Sequence, residues 1–210
     1  MADAPDPPAE TPLRCGAIVL AAGASQRLGQ PKQLLVVEGE PLLVRTVRAV
    51  LASPVWPVVV VLGAHAETLR PLLAPFPVLV IENAAWPEGM AASLRAGVTT
   101  LRQFSRRLDA GIVCLCDQPA FSAAAIDALL AAQRASGRTI AAARYGGRLG
   151  APALFLARHF DELAHLTGEA GARALLDGSR GEVAAVDLPA LAVDLDTPAD
   201  VAAWQASARP

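Results

Sequence analysis

Leu20-Ala21-Ala22-Gly23-Ala24-Ser25-Gln26-Arg27-Leu28-Gly29-Gln30-Pro31-Lys32 is the stretch on which the reading of the chain turns. It leaves an apolar run over residues 17–20 and at once becomes small, glycine-bearing and basic, the pattern of a strand opening into a phosphate-holding loop. Small residues at 21–25 let a ligand approach the backbone. The glycines admit positive φ, exposed N–H groups can point at oxygens, and Arg27 and Lys32 supply cationic charge, a combination suited to a triphosphate. Leu20, Ala21, Ala22, Gly23, Ser25, Arg27 and Lys32 are therefore candidate nucleotide-binding residues. The spacing from Gly23 through Gly29 to Lys32 fits neither G-x-x-x-x-G-K-[ST] nor G-x-G-x-x-G, so two better-known phosphate loops are excluded. By pattern alone, an ordinary strand-to-helix turn with solvated basic residues explains the segment equally well.

The 210 residues suffice for one sizeable α/β domain over residues 13–210. Ahead of it, residues 1–12 are acidic, proline-rich and almost without apolar side chains, and read as a disordered tail. Hydrophobic residues make up 53% and charged residues 18%, which is ample core material, and a formal charge of −2 argues against a dedicated nucleic-acid binder. No apolar run approaches the ~18–20 residues of a membrane helix, so the chain reads as soluble, with no membrane partner. Residues 14–24 could pass for a short signal peptide, but an acidic lead precedes them and cleavage would sever the loop. Cys15, Cys114 and Cys116 are an odd count set largely in apolar sequence, as expected of reduced thiols in a cytoplasmic protein.

Beyond the loop, strand and helix alternate. Residues 15–20, 58–62, 78–81 and 110–116 are continuous apolar runs, the mark of strands covered on both faces of a parallel sheet. Residues 139–143 and 191–195 read as further strands, and residues 41–52, 66–73, 90–102, 122–135 and 158–165 as helices. The pattern predicts an α/β fold: a single doubly wound, Rossmann-like, mostly parallel sheet with helices on both faces and a ligand cleft at the carboxyl ends of the strands.

Three later segments fall where such a cleft forms. Asn83, a proline turn and Gly89 precede the helix that begins at Met90, so helix-start N–H groups, Ser93 and Arg95 can face a ligand; a capped helix with a core tryptophan explains the same residues. Asp117 ends the 110–116 strand before Gln118-Pro119, in position either to bind a divalent cation or to cap the next helix. Asp194 and Asp196, two apart on the last predicted strand, would share a face, while Thr197-Pro198-Ala199-Asp200 reads as a helix start with a capping box. His65 reads as a surface turn histidine, and Gln118 has no assigned role.

L-A-A-G-x-S-x-R-x-G-x-P-K over residues 20–32 resembles the nucleotide-binding signature of the MobA-like NTP transferases, which include the molybdenum-cofactor cytidylyl- and guanylyltransferases. N-x-x-W-x-x-G-M-x-x-S-L-R-x-G over residues 83–97 is similar to a segment of the cytidylyltransferase-like branch, and implies base and ribose contacts by Asn83, Gly89, Met90 and Ser93. Asp117-Gln118-Pro119 resembles the family's G-D-x-P, whose aspartate binds the metal, with Cys116 in place of glycine. Residues 151–155 resemble G-x-P-x-L-F, which implies a wall of the acceptor site, and residues 166–173 resemble L-x-G-D-x-G-A-R, with Glu169 for the usual aspartate. D-x-D-T-P-x-D over residues 194–200 resembles the terminal metal-binding motif.

The resemblance implies a nucleotide-diphospho-sugar transferase-like fold, with Arg27, Lys32 and Asp117 as catalytic residues. It also implies Mg2+, or Mn2+, held by Asp117 and Asp196 with Asp194 behind. The implied reaction joins an NTP to a phosphorylated acceptor and releases pyrophosphate. Ala22, where the guanylyl branch has glycine, points to CTP, and the implied acceptor is a molybdopterin-type phosphate whose product passes to a molybdoenzyme. A guanylyl- or sugar-phosphate nucleotidyltransferase, or a non-catalytic cofactor chaperone for a molybdoenzyme, stays open. A nicotinamide dehydrogenase is disfavoured by the missing fingerprint.

Overall fold

The structure, a computed structural model, describes residues 12–169 and 171–207, the Arg180 side chain excepted. The expected tail therefore lies, Pro12 apart, outside the described residues. Strand β1 (Cys15–Ala21) leads through a two-stranded flap, β2 (Val36–Val37) and β3 (Glu40–Pro41), into α1 (Leu42–Leu51). Next come β4 (Val58–Leu62), α2 (Ala66–Leu73), β5 (Leu79–Glu82), α3 (Met90–Phe104) and β6 (Ala110–Leu115). The remainder is α4 (Ala123–Ser136), β7 (Ile140–Tyr145), β8 (Arg148–Leu156), α5 (Phe160–His165), α6 (Arg173–Gly178), β9 (Val183–Asp187) and α7 (Pro198–Ser207).

Seven strands form one sheet in the order β5-β4-β1-β6-β8-β7-β9. β1 pairs in parallel with β4 and β6, β4 with β5, and β7 with β9, whereas β8 runs antiparallel between β6 and β7. The chain winds outward from β1 to β5 and then returns to the far side of β1 as β6. That reversal opens a crevice at the carboxyl ends of β1 and β6.

The unbroken apolarity of β1 has a simple cause: both of its faces are covered. Cys15, Ala17, Val19 and Ala21 face one core with Leu43 and Val47 of α1, Leu69 of α2 and Ile126 of α4. Ile18 and Leu20 face the other with Leu94 and Val98 of α3, Leu163 of α5 and Leu176 of α6. The α3 helix lies so close to β1 that a Cβ on Gly97 would stand 2.5 Å from Ile18 Cγ2.

Three features differ from the sequence expectation. Residues 191–195 are not a strand: Pro189–Ala192 is a 3-10 turn and the chain then runs irregularly to α7. Its place is set by Leu195, which is buried with Val37 and Leu42 and donates its N–H to the Asp117 carbonyl at 2.9 Å. Residues 145–150 read as a turn, and one forms at Gly146 and Gly147, both at positive φ, but a strand, β8, already begins at Arg148, so residues 151–155 lie within an interior antiparallel strand. β9 was not anticipated, because its alternating small and exposed side chains carry little hydrophobic signal. Among the described residues no helix is long and apolar enough to cross a membrane. All three cysteines are free and buried, and burial pushes the Cys15 and Cys116 thiols up to about 12.

Candidate active site

The loop after β1 is held from beneath. Ser25, at φ +55°, accepts the Leu28 and Gly29 N–H groups on its carbonyl, both at 3.1 Å, and the Lys32 N–H on its Oγ at 3.1 Å. Gln33 is fully buried, and its Nε2 donates to the carbonyls of Ala21 at 2.9 Å and Gly23 at 3.1 Å. His65 Nε2 donates to the Ala24 carbonyl at 3.1 Å, which gives the turn histidine a positioning task. Gly63 must lack a side chain, since a Cβ there would come 2.6 Å from the Ala22 oxygen and 2.9 Å from Trp86 Cβ. Sequence reasoning missed Gln33; the available signal was an amide set against Leu34-Leu35 with no solvent reason to be there.

Two carboxylates close on this loop from the other side of the switch point. Lys32 Nζ donates to Asp117 Oδ2 at 2.7 Å and to Asp196 Oδ1 at 2.8 Å, while Arg27 Nη2 reaches Asp196 Oδ2 at 2.8 Å. The Lys32 and Asp117 side chains are only 17% and 13% exposed, so this pairing is largely shielded from water. Burial alone would lower the Lys32 pKa, but Asp117 and then Asp196 hold it above the ordinary lysine value. For Asp196 burial acts upward, and Lys32 with Arg27 overcomes it to leave the carboxyl below its ordinary value.

Asp196 is placed by Leu195 and by the start of α7. Asp200 Oδ2 accepts Thr197 N–H and Thr197 Oγ1–H, both at 2.8 Å, so the expected capping box forms and leaves the Asp196 carboxylate free for the site. Gln118 lies behind Asp117: its Nε2 is within 3.1–3.2 Å of Tyr145 Oη and the carbonyls of Ala151 and Leu191, tying β6 to β8 and to the final crossing. Asp194 does not line the cavity. Its Oδ1 is buried without a hydrogen-bond partner, and burial followed by Asp117 and Asp196 pushes its carboxyl up to about 6 against the pull of Lys32 and Arg148.

The cavity so formed has a volume of about 630 Å3, of the size that holds a small-molecule ligand. It is lined by residues 20–27, Lys32, Gln33, Trp86, Pro87, Gly89, Met90, Ser93, Leu115, Cys116, Asp117, Glu169 and Asp196. Asn83 is set back from it: its Nδ2 donates to Ser93 Oγ at 3.1 Å and its Oδ1 accepts the Ala85 N–H at 3.1 Å. Gly89, at φ +107°, lies against Gly168, and the Gly168 carbonyl accepts the Ala91 N–H at 3.1 Å, which brings Glu169 to the rim. Asp117 Oδ1 is buried and unpaired, and two carboxylates converge on one cationic point, a hard-oxygen set suited to Mg2+ or Mn2+. No group of three or more His, Cys, Asp or Glu side chains able to hold a metal forms among the described residues, so phosphate and water oxygens would complete the coordination.

Fold and relatives together make this chain a nucleotidyltransferase, built on a Rossmann-like sheet. The MobA-like NTP transferase domain family matches residues 17–188, and the chain belongs to that family. It is 35% identical over 179 residues to nicotine blue oxidoreductase of Paenarthrobacter nicotinovorans, covering 80% of this chain and 84% of that protein. It is 33% identical over 121 residues to a probable molybdenum cofactor guanylyltransferase of Synechococcus elongatus, covering 55% of this chain and 57% of that one. The crystal structure of Rv0371c from Mycobacterium tuberculosis in complex with manganese superposes with a TM-score of 0.71 at 28% identity, covering 92% of this chain and 99% of the other.

Proposed function

We propose that residues 13–210 form one nucleotidyltransferase domain that moves CMP from CTP to the phosphate of a molybdopterin-type acceptor, with release of pyrophosphate. The observation that carries this reading is the meeting of Arg27 and Lys32 with Asp117 and Asp196 in one cavity at the sheet switch point. Arg27, Lys32 and the loop amides bind the β- and γ-phosphates. Asp117 and Asp196 hold a divalent cation, Mg2+ or Mn2+, and the manganese complex of the mycobacterial relative supports that assignment. When bound, the cation stabilises the negative charge developing on the α-phosphate and the leaving pyrophosphate.

An acceptor phosphate oxygen attacks the α-phosphorus in line as the bond to the β-phosphate oxygen breaks. No protein nucleophile is needed; alignment and charge stabilisation by the loop and Lys32 lower the barrier. Gly89, Met90 and Ser93, with Trp86, wall the part of the cavity that takes base and ribose, and Asn83 acts through Ser93. Residues 151–155 of β8, expected as a wall of the acceptor site, do not line this cavity: Ala153, Leu154 and Phe155 are buried between β6 and β7. Ala22 lines the cavity and supports CTP, and the buried free thiols support a reducing, cytoplasmic setting; on this reading a molybdoenzyme receives the product. The guanylyltransferase relative favours a second reading, in which GTP replaces CTP in the same reaction. A redox reading, raised by the relative named an oxidoreductase, finds no dinucleotide fingerprint after β1.

Thermal unfolding with CTP, GTP, ATP or UTP plus Mg2+, on the wild type and on Asp117→Ala, tests the nucleotide site. A ligand at about 100 times its Kd adds about 2.7 kcal/mol, several degrees of Tm. We expect a CTP-selective shift that weakens in the variant. A GTP-selective shift would establish the second reading, and no shift with any nucleotide would refute the site.

A further inference from the structure

We infer that Lys32 is a resident counter-cation: in the nucleotide-free protein its ammonium occupies the divalent-cation position between Asp117 and Asp196, and it leaves only when a triphosphate offers a new anionic partner. The inference rests on the nucleotidyl-transfer reading above and adds an order to it. Asp117 and Asp196 lie 79 positions apart in the sequence, yet one nitrogen contacts an oxygen of each, at 2.7 and 2.8 Å. With no cation between them, two partly buried carboxylates would face each other unscreened, a costly arrangement. Lys32 removes that cost and, by the same contacts, shuts the position to a metal.

The mounting of Lys32 suits an ammonium that changes partners. Its backbone is fixed by the Ser25 Oγ contact and by the buried Gln33 beside it, so the four-carbon stem alone has to swing. The anion it would swing to sits in the same loop, among residues 22–27 of the cavity wall. Arg27 is mounted differently: its side chain is 72% exposed, and it meets Asp196 at Oδ2 rather than at the Oδ1 that Lys32 holds. Arg27 therefore screens the site without plugging it. Metal and nucleotide then enter together, and metal alone is held weakly.

The test is Mn2+ binding by the nucleotide-free full chain, read from the electron paramagnetic resonance of free Mn2+, for wild type, Lys32→Met and Arg27→Met. Each variant removes one positive charge beside Asp196, so bulk charge is controlled. Lys32→Met is expected to bind Mn2+ at least about tenfold more tightly than wild type, and Arg27→Met within about threefold of it. Lys32→Met binding no more tightly than wild type would overturn the inference, and so would equal tightening in both variants. Thermal unfolding gives a second reading: Lys32→Met should lose Tm in chelator and regain it in Mn2+. A variant unfolded under both conditions would contradict the interchange of the two cations. These measurements use no nucleotide, so they stand apart from the function itself, which fails separately if the wild type binds no NTP in Mn2+.

Discussion

Asp117 and Asp194 are both partly buried acids beside Lys32, yet their surroundings give them opposite work. Asp117 is paired with the ammonium and lines the cavity, so Asp117→Asn should keep the fold while lowering pyrophosphate release by at least about 10²-fold, measured with saturating nucleotide. Asp194 lies behind, with a carboxyl pushed up to about 6 by burial and by the two neighbouring acids. Its native pKa exceeds the unfolded value, so the native state binds this proton more tightly. The associated stability is complete below about pH 4 and lost as pH rises through about 6. Asp194→Asn should therefore raise Tm by about 2–4 °C near pH 7.5 in chelator and leave it unchanged near pH 4, a difference that melting curves at the two pH values will show. That Arg27, Lys32, Asp117 and Asp196 would meet in one cavity was expected from the family resemblance rather than from the residues alone, since a basic glycine-bearing loop and an Asp-Gln-Pro turn each have an ordinary structural explanation. Gln33 and Gln118 were not legible, since a buried amide is identified by the carbonyls it serves, and those come from distant strands.

At the scale of elements, the irregular crossing from β9 to α7 decides whether the site closes. Leu195 anchors it through a small cluster of Val37, Leu42, Val201 and Trp204 and through one backbone hydrogen bond to Asp117. Leu195→Ala should cost about 2 kcal/mol, the lower end for a buried leucine, and should also weaken Mn2+ binding in the presence of nucleotide because Asp196 is released. Leu163→Ala, in the core beneath α5, should lower Tm comparably and leave Mn2+ affinity intact. Equal metal affinity in both variants would remove Leu195 from the account of the site. Residues 191–195 were mistaken for a strand because a short apolar run looks the same whether it pairs in a sheet or docks one leucine into a cleft. By contrast β1, β4, α1 and α2 were read to within a residue or two, since both-face burial and helical spacing are local signals that tertiary contacts here only reinforce.

Across the whole molecule, the winding order places the β1 loop and the end of β6 side by side, and that convergence follows from a parallel sheet with a reversal at β1. The alternation of elements made this crevice legible. The antiparallel β8 and the edge strand β9 were not, because the hairpin at Gly146-Gly147 is short and β9 alternates weakly. The central claim is that this crevice transfers a nucleotidyl group to a phosphorylated pterin. The direct measurement is pyrophosphate release with each of the four NTPs, molybdopterin-type acceptor and Mg2+ or Mn2+, with the product identified by mass. The account predicts acceptor-dependent pyrophosphate from CTP, a cytidine dinucleotide product, and loss of both in Asp117→Asn. Acceptor-independent or absent pyrophosphate with every nucleotide would contradict it.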